Sequence, residues 1–442
     1  MASRDYFKNK RVAVIGLGHN GEMVEDVKFL IKAGALVSVY DLKSEARLKN
    51  HLVFLRTIGL ANYVCSSIPA DDLLDMDIIV LSHEYDRDAS FLLPIINSEK
   101  KIMIEYPETL FFRQAPSVTV VAVIGECGKS TLMSMLDPLF KVACADRDGQ
   151  SYFVIDSESN DGILTHLKKI RSGDIVLIKL TSTTMKELYN MRISPHVAIF
   201  ACLPSEYSFL KTPFEILTYQ TYNNYIIASD PIVDMTHSLK VQPKAKMLRT
   251  KTSIIPTEWS IGQKYHPHEK DNMALAYQTA KLFRVEDDII YKILTRWKTP
   301  RGRMEFIKKI KNVEYYNDSM SVSPISTELA IKTLSRDKNI VLLFGGAKSE
   351  GYYGHLYEVL PQYVHTIILL PGSGTILERK VIEKIQNIEV LSAPSLDEAV
   401  RMAMENAKKG DVVLFSPGFE SLGIDGSRKD RGEKFTRIVR GL

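Results

Sequence analysis

Residues 117–131 read SVTVVAVIGECGKST, an apolar, β-branched run that stops at Gly125 and passes through Gly128-Lys129-Ser130-Thr131 into a helical pattern. A strand, a glycine-bearing turn and a helix in that order frame a phosphate-binding loop. The chemistry accounts for the residue types. Gly125 and Gly128 let backbone N–H groups, with those of Glu126 and Cys127, curl around phosphate oxygens, and the start of the helix adds its dipole. Lys129 neutralises the β and γ phosphates, and Ser130 offers a hydroxyl to Mg²⁺. The full pattern G-x-x-x-x-G-K-[ST] needs glycine at position 123, where this chain has Val123. The bland alternative is a tight turn with an ordinary surface lysine.

Outward from this loop, short apolar strands alternate with amphipathic stretches over nearly the whole chain, the pattern of parallel, doubly wound sheets. The fold class is α/β, with three doubly wound domains: a Rossmann-like domain at 1–112, a central phosphate-loop domain at 113–299 and a second Rossmann-like domain at 300–442. The first opens with RVAVI (11–15) and GLGHNG (16–21), then LVSVY ending at Asp41, DIIVLS (77–82) and KIMIE (101–105). The second continues after the loop with YFVID, DIVLIKL, HVAIFAC and NYIIAS, closed by helices at about 270–284 and 286–298. The third supplies VEYYND, NIVLLFGG, HTIILLPG and DVVLFSPG. Ligands in such sheets sit at the carboxyl ends of strands, so the glycine turns there are candidate contacts. Gly16, Gly18 and Gly21, with Asp41 about 20 residues on, fit a dinucleotide fingerprint. That turn can hold NAD, can hold the diphosphate of a UDP-sugar, or can serve helix-sheet packing alone.

With 442 residues the chain has material for several buried cores, and its apolar (45%) and charged (25%) fractions are those of an ordinary globular protein. No apolar stretch approaches the ~18 residues that span a bilayer, and the opening MASRDYFKNK has no apolar core of a secretory signal. A cytoplasmic location is expected, with no membrane insertion. The four cysteines, Cys65, Cys127, Cys144 and Cys202, form no C-x-x-C pair, which argues against a zinc site or a disulfide framework. They are expected to be reduced and mostly buried, Cys127 as a small packing residue. A net charge of +4 without a long basic block does not point to nucleic acid.

Taken in order, these segments resemble the Mur ligases of peptidoglycan synthesis, and within them the branch that adds D-glutamate. VAVIGECGKST resembles the family's phosphate loop, which also lacks the first glycine. HPHEKDNMALA (266–276) is similar to its helix start and implies Asn272 against adenine; RGRMEFI (301–307) implies Arg303 near the ATP phosphates. YYNDSMSVSP (315–324) gives Asp318 a nucleotide role, and SPGFESLGIDGSRKDRGEKF (416–435) places Ser421 and Leu422 beside the incoming amino acid. The first domain would hold the uridine end through Gly16, Gly18, Asp41 and Lys43. The resemblance implies a monomer that uses ATP and Mg²⁺, with Lys129 and Ser130 as catalytic residues and Ser130 as metal ligand. Its substrates would be UDP-N-acetylmuramoyl-L-alanine and D-glutamate, joined through an acyl phosphate. The alternatives are a catalytically impaired homologue that binds nucleotide or UDP-sugar in a regulatory role, and a phosphate-loop ATPase joined to a dinucleotide-binding domain.

Several central positions depart from the family. Lys179 stands where the family has a magnesium-binding glutamate, Met320 where it has lysine, Val322 where it has threonine, and Glu126-Cys127 replace Thr-Asn. Two arrangements are open: an ion pair of Lys179 with Glu206, or service of the metal by other carboxylates such as Asp156 or Glu158. His266 and His268 read as capping or surface residues, and Arg428, Lys429, Arg431 and Lys434 as the exposed face of a helix, with Arg428 in reach of a carboxylate.

Overall fold

The computed structural model describes residues 2–18, 21–60, 62–145, 149–157, 159–203, 212–259, 265–348, 351–421 and 426–442. Each apolar run quoted above is a strand, as expected for β-branched segments covered on both faces, where no polar alternation is needed. The first sheet contains β1 (Arg11–Ile15), β2 (Leu36–Asp41), β3 (Asn62–Cys65), β4 (Ile78–Leu81) and β5 (Met103–Glu105), all parallel in the order β3-β2-β1-β4-β5. The second contains β6 (Thr119–Ile124), β7 (Tyr152–Ile155), β8 (Ile175–Lys179), β9 (Val197–Phe200), β10 (Tyr225–Ser229) and β11 (Lys246–Thr250), in the order β11-β10-β9-β6-β8-β7. The third contains β12 (Glu305–Ile310), β13 (Val313–Asn317), β14 (Ile340–Phe344), β15 (Val364–Leu369), β16 (Glu389–Ser392) and β17 (Val412–Phe415). Its order is β12-β13-β17-β14-β15-β16, and only β12 runs antiparallel to its neighbour.

The chain forms two compact units, residues 1–260 with 271–295 and residues 261–270 with 296–442. The first holds two sheets and the second holds one. Within the first unit the two sheets share one apolar cluster. Val27, Phe29 and Leu30 of the helix Val24–Lys32 pack with Leu164 and Leu167, which lie in the central part of the chain. Burial of each such side chain contributes ~1.5–3 kcal/mol, before the conformational entropy that opposes it. A polar contact crosses the same layer: the Leu164 N–H donates to Asp26 Oδ1 at 2.6 Å. Burial pushes this carboxyl up to about 7, against the lowering effect of the Leu164 and Ile163 amides. Arg87, in the segment after β4, pairs with Glu187 Oε2 at 2.8 Å on the helix Ser182–Asn190.

In both sheets of the first unit the strand order reverses beside the first strand. β1 lies between β2 and β4, and β6 lies between β9 and β8. Such reversal points leave a crevice at the carboxyl ends of the strands. In the third sheet β17 enters between β13 and β14, so the turns after those three strands meet at one edge.

Candidate active site

The central crevice is built by the loop that leaves β6. Gly125 (φ +148°) and Gly128 (φ +76°) hold backbone angles that side-chain-bearing residues rarely adopt, and their surroundings leave little room for a side chain. A Cβ on Gly125 would sit 2.9 Å from Cys202 O, and one on Gly128 3.1 Å from Asn272 Nδ2. The helix Lys129–Ala145 starts at the lysine itself, with the Leu132 N–H donating to Gly128 O at 2.9 Å. Its first turn therefore presents the N–H groups that an α-helix leaves without a partner four residues back, next to Ser130 and Thr131. The Lys129 ammonium folds back onto Gly125 O. Asn272, buried, approaches Gly128 O at 3.5 Å. The loop, Lys129, Ser130, Thr131 and Asn272 are thus brought together.

Two of the loop's amides face elsewhere. The Glu126 N–H donates to Cys202 O at 2.9 Å, and Cys127 and Cys202 form an antiparallel bridge. Hydrogen bonding to the Cys202 thiol, then burial, pushes the Cys127 thiol well above the usual range, as befits a packing residue.

Lys179, the last residue of β8, lies opposite Val123 on β6 and is 3% exposed. Its Nζ pairs with Asp156 Oδ1 at 2.6 Å. The carboxylate seen at Lys179 is therefore Asp156, one of the residues considered for metal; Glu206 and Glu158 lie outside the described residues. An ammonium this close does not suit a divalent cation, because like charges ~4 Å apart repel by about 4 kcal/mol at an effective dielectric of ~20. Among the described residues no group of three or more His, Cys, Asp or Glu side chains could hold a metal. The Ser130 hydroxyl in the helix's first turn does fit Mg²⁺ carried in on phosphates.

At the first sheet's crevice, Gly16, Gly18 and Gly21 all have φ between +78° and +85°. Asp41, fully buried, accepts the Leu17 N–H on Oδ2 (3.0 Å) and the Lys43 N–H on Oδ1 (2.8 Å). Lys43 Nζ bonds Gly18 O (3.2 Å) and pairs with Glu84 (2.6 Å). Asp41 thus ties two turns together. Sequence reasoning missed Ser82, just past β4. Its buried hydroxyl has no hydrogen-bond partner among the described residues, and it lies 2.4 Å from the position of a Cβ on Gly16. The signal was available, since Ser82 ends the apolar run DIIVLS at the neighbouring strand's exit.

In the second unit, two distant motifs meet. The Met304 N–H donates to Asp318 Oδ1 (3.0 Å) and the Ser416 hydroxyl to Oδ2 (2.7 Å). Asp318 is fully buried, and desolvation pushes it up to about 6 although Ser416, Ser321 and the Arg303 guanidinium oppose this. Met320 N–H donates to Gly302 O (3.1 Å), fixing RGRMEF on NDSM. Asn317 Nδ2 reaches Gly432 O at 3.2 Å. A cavity of about 320 Å³ opens beside these residues, lined by Arg301, Met320, Lys429 and Arg437 among others. Ser421 donates to Gly426 O at 2.9 Å, while Leu422 lies outside the described residues.

Two surface readings are corrected. Arg431 does not lie on the exposed face of its helix: it is buried, donates to Phe419 O (3.1 Å) and Glu420 O (3.4 Å), and sits over the Phe415 ring. Arg428 does meet a carboxylate, but an internal one, Glu420, through two bonds of 3.0 and 2.6 Å. His268 is half-buried and stacks on His266, and burial holds its imidazole down to about 4. His266 is a capping position, its N–H taken by Glu269 Oε2 at 2.9 Å.

Known proteins resemble this chain in sequence and in fold. Residues 302–419 match the family model described as Mur ligase, glutamate ligase domain. A UDP-N-acetylmuramoylalanine–D-glutamate ligase of Clostridioides difficile is 27% identical, over 98% of this chain and 99% of that protein. One of the same name from Borreliella afzelii is 26% identical, over 98% of both. Among solved structures, a murein peptide ligase of Psychrobacter arcticus has a TM-score of 0.59 at 12% identity, covering 98% of this chain and 99% of that one. A UDP-N-acetylmuramate-alanine ligase of Thermotoga maritima has a TM-score of 0.58 at 14% identity, covering 98% and 100%. Residues 302–419 are thus similar to the glutamate ligase domain of Mur ligases, and the chain is similar over 98% of its length to UDP-N-acetylmuramoylalanine–D-glutamate ligases.

Proposed function

We propose that this chain is an ATP-dependent ligase that joins D-glutamate to UDP-N-acetylmuramoyl-L-alanine, acting in the cytoplasm as a monomer. The observation that carries the reading is the loop after β6, where a helix N-terminus, Lys129 and Ser130 converge beside Asn272. The substrates come from the full-length similarity to ligases named for them.

A carboxylate resists attack by an amine because its oxygen leaves poorly and its charge repels nucleophiles. Transfer of the γ-phosphoryl group from ATP to the alanine carboxylate removes both obstacles, and the amine of D-glutamate then displaces phosphate. Such transfer depends on positioning and on preorganised positive charge. Lys129 and the amides of the helix's first turn hold the phosphates, while the Lys179 ammonium on the adjoining strand is balanced by Asp156. Mg²⁺ held at Ser130 would neutralise phosphate charge. Asn272, Arg303 and Asp318 are assigned to the nucleotide, Gly16, Gly18, Asp41 and Lys43 to the uridine diphosphate, and Ser421 and Leu422 to the amino acid. We take the domain limits as 1–112, 113–299 and 300–442.

Purified protein with ATP should release phosphate only when UDP-N-acetylmuramoyl-L-alanine and D-glutamate are both present. Absence of release with every amino acid tried would overturn the reading in favour of the binding-only alternative. Tight NAD(H) binding at the Gly16–Gly21 turn would favour the dinucleotide-binding alternative instead.

A further inference from the structure

Cys127 stands in the middle of the phosphate loop, and Cys202 stands two residues beyond the end of β9. The crevice between β6 and β9 brings them face to face. The Cys202 N–H donates to Cys127 O at 3.3 Å, and the Cys127 N–H returns to Cys202 O at 3.5 Å, as an isolated antiparallel bridge. Reciprocal pairs of this kind hold their Cα atoms ~5.5 Å apart, within the span that a disulfide bridges. All four cysteines are free thiols, and Cys65 and Cys144 lie elsewhere, at the end of β3 and inside the helix Lys129–Ala145.

We propose that Cys127 and Cys202 are a covalent modification site: a low-molecular-weight disulfide such as glutathione disulfide oxidises them to an intramolecular disulfide that pulls the phosphate loop out of its nucleotide-binding arrangement. The loss of nucleotide affinity rests on the reading of this loop given above; the bond itself does not.

The chemistry balances as two thiol–disulfide exchanges. Cys202 is the more exposed of the two and attacks first. Its sulfur bonds to one sulfur of the small disulfide, whose S–S bond breaks and releases one thiolate, which takes up the proton lost from Cys202. Cys127 then attacks the Cys202 sulfur, the mixed S–S bond breaks, and the second small thiol leaves with the Cys127 proton. Two protein thiols are oxidised and one small disulfide is reduced to two thiols. The buried Cys127 acts as the resolving thiol, a role in which it attacks a sulfur already held next to it.

The geometry says why the bond should alter the loop. Residues opposite one another in an antiparallel pair have Cβ atoms ~4.5–5.5 Å apart, at the long end when they are hydrogen-bonded, whereas a disulfide needs about 3.5–4.5 Å. Closing the bond therefore draws Cys127 toward the exit of β9 by roughly 1 Å. The loop has no slack to absorb this locally. Gly125 already lies against Cys202 and Gly128 against Asn272, so the displacement passes to Lys129 and the first helical turn. A bond formed under such strain is easily reduced, which suits a transient intracellular disulfide rather than a structural one.

The test equilibrates the folded protein with glutathione buffers from fully reduced to fully oxidised and maps the peptides. A peptide cross-linked between Cys127 and Cys202 is expected, absent from Cys202→Ser and, should that variant fold poorly, from Cys127→Ala. No cross-link at any poise, or a glutathione adduct on Cys202 alone, overturns the site. Calorimetric titration with ATP should then show affinity at least about tenfold weaker in the oxidised protein and restored by reductant, a loss of about 1.4 kcal/mol. Unchanged affinity in the cross-linked protein overturns the effect on the loop. Failure of the reduced protein to bind ATP would sink the proposed function while leaving the mapped cross-link standing, so the two failures are distinguishable.

Discussion

The first unit contains two turns built on one frame. The turn after β1 and the loop after β6 both leave a strand beside the reversal point of a parallel sheet and use left-handed glycines. Both stand at the head of a helix. In the first, the carboxylate of Asp41 takes the Leu17 and Lys43 amides, and Lys43, Glu84 and a Ser82 hydroxyl with no partner among the described residues lie beside the turn. In the second, a lysine, Lys129, is itself the first residue of the helix. The same backbone frame is tied down by a carboxylate from the next strand in one case and runs directly into a lysine-headed helix in the other.

That contrast can be broken most severely at Lys129. Lys129→Ala should lower phosphate release dependent on both substrates by about a thousandfold, the upper range for losing one preorganised charge at a transferring group, while leaving thermal stability nearly unchanged. Asp41→Asn should, by contrast, lower stability measurably. Either the buried Leu17 amide or the half-buried Lys43 amide would face an NH₂ donor, at a cost of about 1–3 kcal/mol read as a lowered midpoint of urea unfolding.

Two buried carboxyls sharpen the comparison through pH. Desolvation raises Asp26 to about 7 and Asp318 to about 6. Because these folded-state values exceed the unfolded ones, the folded chain binds the extra proton. The contribution of each group is fully present below about pH 4 and is lost as pH rises through about 6 for Asp318 and about 7 for Asp26, on the order of 3 kcal/mol each. Asp26→Asn should match the wild type in denaturant midpoint at pH 4 and exceed it at pH 8. A parallel pH slope in both proteins would refute the assignment. The smallest effect is expected at Glu126, which puts a negative charge beside bound phosphate: Glu126→Gln should tighten ATP binding by no more than about fivefold, roughly 1 kcal/mol at a wetted site, as followed by titration calorimetry.

How much of this was legible in the sequence depends on where each element lies. β4, β6, β8, β9, β14 and β17, covered on both faces, stand out as unbroken apolar runs. β3, β11, β12 and β16 were not read at all, and every one is an edge strand whose half-exposed residues carry lysines, asparagine or glutamate. One face of an edge strand needs no apolar cover, so the periodic signal fades. The phosphate loop was legible because its chemistry is local. The partners at the site were not, because they are joined only by the sheet order: Asp156 reaches Lys179 from the neighbouring strand, Cys202 reaches Cys127 across the reversal point, and Ser416 reaches Asp318 from 98 positions away. Arg431 was misread for the same reason, since the carbonyls it bonds belong to a turn that folds back over its helix.

The Leu164 amide seated on Asp26 has a practical consequence for dissecting the molecule. A fragment ending at residue 112 would strip the cover from Phe29 and Leu30 and leave that carboxylate facing solvent across an oily patch, inviting aggregation instead of autonomous folding. Differential scanning calorimetry of the intact chain should accordingly resolve the amino-terminal and central sheets melting as one cooperative block, with no separate endotherm for the first hundred residues.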